Sequence, residues 1–263
     1  MSPPQSFSVS RQAARDLAVD VYAPAEPSLL AGVILLHGGG WAFGHRSDLA
    51  PQATAYASHG FTAICAEYRL SPEVAWRGQL DDVADLIGWS RRNAEILGIR
   101  PDRVALHGVS AGGHLALMSA RHADAVVVCG APPELRLPPP EAGPNPIAGL
   151  LGPAASPQTA LAASPVSHVS ADLPPICLIG GVVDRLVPPG ELIAYFTALH
   201  DAGVKVSLHL HHDQHHAFDM LPSMIGPVHA DAALFLKRAM VDPAHYEHES
   251  DTLNPFARGL PPN

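Results

Sequence analysis

The chain has 263 residues, of which 47% are hydrophobic and 16% charged, and its formal net charge is -9. This composition is typical of a compact globular protein and argues against a disordered one, a basic nucleic-acid-binding surface or a membrane span, for which the apolar runs are far too short. The N-terminal segment has no apolar signal-peptide region, so we expect a cytoplasmic location.

Seven short apolar runs are predicted to be strands. They cover residues 18–22, 32–38, 61–68, 103–109, 125–131, 175–181 and 204–210. Several are apolar almost throughout, as is typical of strands buried on both faces of a parallel sheet. Helical patterns lie between them, for example over residues 51–60 and 188–203, with Pro near the start and Gly at the end. The alternation predicts an α/β fold with parallel strands joined by crossover helices.

The run over 32–38 ends in the unusual segment HGGGW, residues 37–41. One glycine is enough for a tight turn, because glycine adopts backbone angles that other residues avoid. Three in succession indicate that the backbone itself, with its N–H groups exposed, must face a bound group.

The three cysteines, Cys65, Cys129 and Cys177, each lie inside a strand-like run. An odd number of cysteines in such settings predicts buried free thiols in a reducing compartment. A catalytic thiol is the alternative, but buried thiols without a nearby cation are usually inert.

The motif GVSAG, residues 108–112, follows a predicted strand and precedes a predicted helix. This is the context of a G-x-S-x-G nucleophile elbow, in which a sharp turn holds the serine hydroxyl at the carboxyl edge of the sheet. The positions two before and two after the serine must be very small, and both are glycine here. Ser110 is therefore the predicted nucleophile.

A serine nucleophile assigns a role to the glycine segment. Attack on a carbonyl creates an oxyanion that needs two or three N–H donors, and losing one typically costs about 10²–10³ in rate. The predicted donors are the N–H groups of Gly38, Gly39, Gly40 and Ala111. We expect His37 to anchor the loop, because it precedes the serine and so has the wrong chain order for the base.

Residues 131–175 interrupt the alternation of strands and helices. The segment is dense in Pro and Gly and too long for an ordinary connection. A disordered linker between two domains would explain it, but the strand and helix patterns resume afterwards in the same style. We therefore expect a single domain over residues 1–263, with 131–175 as an insertion over the active site at the carboxyl edge of the sheet.

The serine also needs a base that is oriented by an acid, in the chain order Ser, Asp or Glu, His. Asp184 follows the predicted strand PICLIGG and is the predicted acid, although a helix-capping aspartate would have the same position. Asp213 and Asp219 are the competing carboxylates, because both lie near the candidate bases in the sequence.

Five histidines lie within residues 209–216, a segment that starts near the end of the last predicted strand and continues into the loop after it. Residues 209–213 resemble the start of the H-x-H-x-D-H motif of metallo-β-lactamase-like hydrolases, but Gln214 stands where the motif requires His, and that fold has antiparallel sheets. We therefore expect neither a metal ion nor a cofactor. The base should lie in the loop after the strand, and position alone leaves both His215 and His216 open.

Together these motifs resemble the α/β-hydrolase enzymes of the hormone-sensitive-lipase and BD-FAE-like esterase group, which includes kynurenine formamidases. The resemblance covers nearly the whole chain, from AVDVYAP and HGGGWAFG through GVSAGGHLAL to DRLVPP and HHAF. It implies an α/β-hydrolase fold, with helices on both faces of a mostly parallel sheet. Its His-x-Phe motif matches residues 216–218, which implies a triad of Ser110, Asp184 and His216 rather than His215.

The sequence also departs from this group in ways that concern the substrate. Val109 stands where lipase-like members often have Asp, and Gly40 stands where kynurenine formamidases often have an aromatic residue. The N-terminal cap of the lipase-like branch is nearly absent, since strand-like sequence begins near residue 17. We expect Trp41, Val109 and His215 to line the substrate pocket.

These observations predict a serine carboxylesterase that cleaves small or short-chain acyl esters through an acyl-enzyme. The alternative within enzymes is an arylformamidase or amidase of the kynurenine formamidase type. A non-catalytic binding protein on the same scaffold is disfavoured, because all three triad positions are filled. The expected partner is a small-molecule ester or amide, with no nucleic-acid or membrane partner, and the resemblance implies a homodimer.

Overall fold

A computed structural model describes residues 3–9, 15–24, 28–137 and 145–254. Within these ranges the chain forms a single eight-stranded sheet with helices on both faces, which confirms the predicted α/β-hydrolase class. The strands are β1 (Gln5–Val9), β2 (Leu17–Tyr22), β3 (Gly32–Leu36), β4 (Thr62–Ala66), β5 (Val104–Val109), β6 (Ala125–Cys129), β7 (Ile176–Gly181) and β8 (Val206–His211).

The strand order across the sheet is β1-β2-β4-β3-β5-β6-β7-β8. The pairs β1/β2 and β2/β4 are antiparallel, and every later pair is parallel. The seven predicted strands are all present, with ends that differ by a few residues. β1 was not predicted, because its sequence QSFSV is short and mostly polar, and it pairs only at the sheet edge.

Helices lie between the parallel strands, where the chain must cross from one strand to the next. They are α1 (Ala50–Ser58), α2 (Trp76–Arg92), α3 (Ala94–Leu97), α4 (Ala111–Met118), α5 (Pro146–Leu151), α6 (Pro157–Ala162) and α7 (Pro189–Asp201). Two further helices, α8 (Pro222–Leu236) and α9 (Pro243–His248), follow β8. Short helices α5 and α6 lie inside the 131–175 insertion; residues 138–144 fall outside the described ranges.

Two hydrophobic cores lie on opposite faces of the sheet, because successive side chains of a strand point to opposite sides. In β3, Ile34 and Leu36 face the core under α2, α4 and α7, whereas Val33 and Leu35 face the core under α1 and α8. All five residues of β3 are buried, as expected of a central parallel strand.

The three cysteines are buried free thiols, as the sequence predicts. Burial raises the pKa of each, and that of Cys177 reaches about 12. A thiol with so high a pKa is a poor nucleophile, which disfavours the catalytic alternative. None of the helices in the described residues is both long enough and apolar enough to cross a membrane.

Candidate active site

The turn between β5 and α4 carries Ser110 in a strained conformation. Its backbone angles are φ 53° and ψ −116°, in the positive-φ region that residues with a side chain rarely adopt. Such strain is typical of functional sites, where surrounding structure holds it in place. The turn directs the hydroxyl to the carboxyl edge of the sheet, at the N-terminus of α4.

The two motif positions require glycine because a Cβ atom there would clash with neighbouring backbone atoms, which cannot move aside as a flexible side chain could. A Cβ at Gly108 would come within 2.3 Å of the carbonyl oxygen of Gly112. A Cβ at Gly112 would come within 2.1 Å of the carbonyl oxygen of Leu36 in β3. No side chain fits at either position without moving the strand or the helix, so the predicted steric reason for the motif holds.

Three side chains from the ends of three strands form a continuous hydrogen-bonded line. Ser110 Oγ lies 2.8 Å from His216 Nε2, and His216 Nδ1 lies 2.8 Å from Asp184 Oδ2. Because a carboxylate can only accept, Nδ1 carries the proton and donates it to Asp184, which leaves Nε2 free to accept from the serine hydroxyl. The imidazole is thus in the tautomer that a general base requires.

Asp184 is held in place by its own turn after β7. Its Oδ1 accepts from the backbone N–H groups of Leu186 at 2.8 Å and Val187 at 3.0 Å. The residue is 5% exposed, so the carboxylate is almost fully shielded from water. The two backbone donors occupy one oxygen and leave the other directed at His216.

Two glycines that the sequence analysis did not identify make room for the base. Gly130, at φ 56°, follows β6, and a Cβ there would lie 3.1 Å from Cε1 and 3.2 Å from Nδ1 of His216. A Cβ at Gly181, the last residue of β7, would come within 2.2 Å of the carbonyl oxygen of Gln214 in the base loop. Gly130 is the last but one residue of the predicted strand 125–131 and Gly181 is the last of 175–181, which is the only signal in the sequence that marks them.

The glycine segment passes directly beside the nucleophile. A Cβ at Gly38 would lie 3.3 Å from the Cβ of Ser110. Gly39 and Gly40 have φ values of 120° and 57°. Among the described residues, no acceptor takes the N–H groups of Gly39 and Gly40, and the N–H of Ala111 begins α4, where no carbonyl of the helix can pair with it. These donors are free for an anionic oxygen.

His37 anchors this segment, as its chain order predicts. The ring is 2% exposed, stacks on Tyr68 at a centroid distance of 4.4 Å, and places Nδ1 2.8 Å from the carbonyl oxygen of Gly38. The hydroxyl of Tyr68 donates to the carbonyl oxygen of His37 at 2.8 Å. Burial lowers the pKa of His37, so that it stays neutral at pH 7.

A cavity of about 540 Å³ opens beside the glycine segment. Its described walls come from that segment, from the Ser71-Pro72 turn and from α5, and they are Gly39, Gly40, Ala42, Phe43, Ser71, Pro72, Asn145, Pro146 and Gly149. Pro146 comes closest to the loop, since a Cβ at Gly40 would lie 3.3 Å from the Cβ of Pro146. The described start of α5, inside the 131–175 insertion, therefore borders the cavity.

None of the three residues predicted to line the substrate pocket borders this cavity. Trp41 and Val109 are 4% and 2% exposed and pack into the two hydrophobic cores, and neither borders this cavity. His215 is exposed at the surface of the base loop. Trp41 has φ 62°, and this conformation turns its indole inward, a reversal that the sequence pattern does not reveal.

The competing carboxylates and the histidine-rich segment take no part in the triad. Asp213 is exposed beside His212, and Asp219 is buried in the turn after His216, whose Nδ1 pairs with Asp184 instead. Among the described residues, the donor atoms of the 209–216 histidines form no group of three that could share a metal ion. His209 and His212 instead lie beside Asp231 and Asp213 at 3.8 and 3.3 Å.

His114 of α4 connects the glycine segment to the insertion. Trp41 Nε1 donates to His114 Nδ1 at 3.2 Å, so His114 Nε2 carries the proton and donates to the carbonyl oxygen of Ala163 at 2.7 Å. Burial lowers the pKa of His114 from 6.5 to about 4. Because the folded-state pKa lies below that of the unfolded chain, the stability from neutral His114 is present above pH 6.5 and lost as the pH falls towards 4.

We therefore expect His114→Gln, which cannot titrate, to flatten the acid branch of the stability curve. Between pH 6.5 and 4.5 the free energy of unfolding of the wild type should fall more steeply than that of the variant, by up to about 1.4 kcal/mol per pH unit. Urea unfolding at pH 7, 6, 5 and 4.5 measures both slopes. Parallel curves would show that His114 is not the titrating group.

Replacing Asp184 with asparagine should lower turnover by about 10⁴-fold with little loss of stability. Asparagine keeps the shape, but it cannot stabilise the imidazolium and it allows the wrong tautomer of His216. The measurement is kcat for a simple activated ester. Asp213→Asn, which changes an exposed carboxylate of the base loop, is the matched control and should keep near-wild-type turnover; the reverse ranking would reassign the acid.

The chain is similar in sequence and in fold to known esterases. Residues 19–127 match the BD-FAE family model, and residues 149–242 match that of the prolyl oligopeptidase family. Esterase LipQ of Mycobacterium tuberculosis is 29% identical over 227 residues, which is 76% of this chain and 53% of LipQ. Arylacetamide deacetylase of Bos taurus is 35% identical over 114 residues, which is 40% of this chain and 28% of that protein.

The chain thus spans about half or less of the length of these two relatives. Among solved structures, the esterase Est2 of Thermogutta terrifontis in its butyrate-bound form superposes with a TM-score of 0.73 at 25% identity. That match covers 88% of this chain and 93% of Est2, so the shared architecture includes nearly all of both molecules.

Proposed function

We propose that this α/β-hydrolase of the BD-FAE and hormone-sensitive-lipase group is a serine carboxylesterase for small or short-chain acyl esters. The observation that carries the proposal is the line of hydrogen bonds from the Ser110 hydroxyl through His216 to Asp184. The proposed reaction uses no cofactor, and its substrate is a small molecule.

The first half of the proposed reaction forms an acyl-enzyme. Ser110 Oγ attacks the ester carbonyl carbon while His216 Nε2 takes the hydroxyl proton, and Asp184 stabilises the imidazolium that results. The tetrahedral intermediate collapses when Nε2 returns this proton to the leaving alkoxide, which departs as an alcohol. The acyl group remains on Ser110 as an ester.

The second half releases the acid. Water attacks the acyl-enzyme carbonyl, His216 takes a proton from the water and then returns it to Ser110, and the carboxylic acid leaves. In both halves the negative charge develops on the carbonyl oxygen, where the N–H groups of Gly39, Gly40 and Ala111 are the proposed donors. Gly38, whose backbone passes closest to Ser110, completes the proposed oxyanion loop.

We assign the acyl chain to the cavity beside the glycine segment, whose described lining includes Gly39 and Gly40 but neither Ser110 nor His216. It holds about 540 Å³, and the rigid ring of Pro146 borders it next to Gly40. Two of the relatives are esterases by name, and butyrate, bound in Est2, is a four-carbon acid. Apart from Phe43, the described wall consists of glycines, prolines and short side chains, which favours a modest space over a long tunnel.

We expect kcat/KM along a series of p-nitrophenyl esters to be highest between acetyl and butyryl. It should fall by at least about tenfold towards palmitoyl, since a chain that does not fit loses about 1–3 kcal/mol for each poorly accommodated step. Pro146→Ala, which removes ring atoms from the cavity wall, should shift the optimum to longer chains. Ile96→Ala, at an exposed apolar side chain of α3 that does not border the cavity, is the control.

An optimum at palmitoyl would contradict the proposed pocket. The alternative of amide or aryl formamide hydrolysis has support in the name of one relative, arylacetamide deacetylase. The two reactions share the triad and differ in the leaving group, so the same assay decides between them when an aryl formamide joins the series. Faster turnover of the formamide than of every ester would favour the amidase.

A further inference from the structure

A group of buried polar side chains lies behind the active-site edge, on the face of the sheet covered by α1 and α8. It consists of His107 of β5, Asp219 of the turn after His216, and His229 of α8, and each is 0% exposed. Their donor atoms all lie within 4.8 Å of one another. The proposed ester hydrolysis uses none of them, so they need another explanation.

The atoms that converge have no hydrogen-bond partner in the part of the chain described. These atoms are His107 Nε2, His229 Nε2 and both carboxylate oxygens of Asp219. Burying polar atoms without partners is unfavourable, most of all for a carboxylate, and native proteins avoid it. Burial raises the pKa of Asp219, and the Cys129 thiol and Gln52 amide, which lie near the carboxylate without reaching hydrogen-bond geometry, lower it.

The Nδ1 atom of each imidazole, which points away from the cluster and is called its outer nitrogen here, already has a hydrogen-bond partner. His229 Nδ1 lies 2.8 Å from the carbonyl oxygen of Ile225, so Nδ1 carries the proton and Nε2 keeps a lone pair. His107 Nδ1 lies 3.0 Å from the hydroxyl oxygen of Tyr56, which can accept its proton in the same way. An outer nitrogen held by an oxygen acceptor and an inner nitrogen with a free lone pair is the arrangement of histidines that bind metal ions.

We propose that His107, Asp219 and His229 bind a zinc ion. Two neutral imidazoles and a carboxylate are donors that zinc accepts, whereas magnesium and calcium prefer oxygen ligands throughout. Bonds of about 2.0–2.1 Å would bring the donor atoms to about 3.3 Å apart, so the side chains would close in from separations of up to 4.8 Å. The thiol of Cys129, beside Asp219, is a further donor for a fourth position.

Such an ion would tie three distant parts of the chain together. Asp219 lies three residues after the proposed base His216, and His107 lies three residues before Ser110. The ion would therefore fix the base loop to the central strand and to α8. Its role is structural, because the buried cluster is separate from the N–H groups and the cavity where substrate would lie.

The test is the metal content of protein purified without a polyhistidine tag. Wild-type protein refolded with zinc and then gel-filtered should retain about one zinc per chain by mass spectrometry of the metal, and chelator present during refolding should lower its Tm. His229→Gln and Asp219→Asn should each lose at least about nine-tenths of the zinc. His209→Gln, which alters the exposed histidine-rich segment, should retain it.

Two results would overturn the proposal. One is wild-type protein that retains less than about a tenth of an equivalent of zinc, a result that needs no variant to fold. The other is zinc that stays in folded His229→Gln but leaves His209→Gln, since the surface histidines would then be the ligands. Circular dichroism of each variant, recorded before metal analysis, ensures that only folded protein is compared.

Discussion

Replacing Ser110 with alanine is expected to lower kcat for ester hydrolysis by about 10⁵–10⁶-fold while the protein stays folded. The alanine has no nucleophile to form the acyl-enzyme, and loss of the serine or the histidine of a triad removes nearly all of what the triad contributes. The residue is held at φ 53° by its neighbours, and alanine adds no atoms to that turn. Steady-state kinetics and the Tm together measure the effect.

Ser119→Ala is the control, because Ser119 lies at the other end of α4, away from His216, and is 3% exposed. It should keep kcat within a few-fold of the wild type. If Ser110→Ala retained substantial activity, the hydrolysis would proceed by another nucleophile and the proposed mechanism would fail.

Replacing His216 with alanine should be about as damaging as losing the serine, with a fall in kcat on the order of 10⁵–10⁶-fold. His216 Nε2 lies 2.8 Å from the hydroxyl that must lose its proton, and no other imidazole is in contact with Ser110 among the described residues. Without it the serine hydroxyl stays protonated at neutral pH and attacks slowly.

His215→Ala is the control for this change, since position in the sequence leaves both histidines open. His215 is exposed in the same loop, and its removal should change kcat by only a few-fold. The opposite ranking of the two variants would make His215 the base and would place the observed hydrogen bond outside the reaction.

The sequence was enough to predict those features that depend on contacts between residues close together in the chain. The glycines around Ser110 are required by contacts across a single turn, so a short motif marks them. Strands such as β3 are buried on both faces and are therefore apolar throughout. Chain order, together with a position directly after a predicted strand, pointed to Asp184, because each member of the triad follows a different parallel strand.

Features that depend on distant contacts could not be predicted in this way. Gly130 is small because His216, far along the chain, packs against it. The indole of Trp41 turns inward because His114 of α4 accepts its N–H. β1 exists because it extends the sheet beside β2, although its own sequence is mostly polar.

The buried cluster of His107, Asp219 and His229 illustrates the same limit. Its members come from a strand, a turn and a helix, and no spacing in the sequence joins them. The histidine-rich segment suggests a metal site from its sequence, but it lies largely at the surface. Two histidines that are isolated in the sequence, His107 and His229, come together in the interior. Metal-site motifs detect ligands that are close in the chain, and these ligands become close only through the fold.

Covalent catalysis by Ser110 is tested by labelling with a small p-nitrophenyl phosphonate followed by mass spectrometry of the intact protein and its peptides. We expect one phosphonyl group per chain, attached to Ser110, with activity lost in proportion to labelling and no labelling of Ser110→Ala. Phosphonylation of a different residue, or full activity in protein labelled to completion on Ser110, would contradict it.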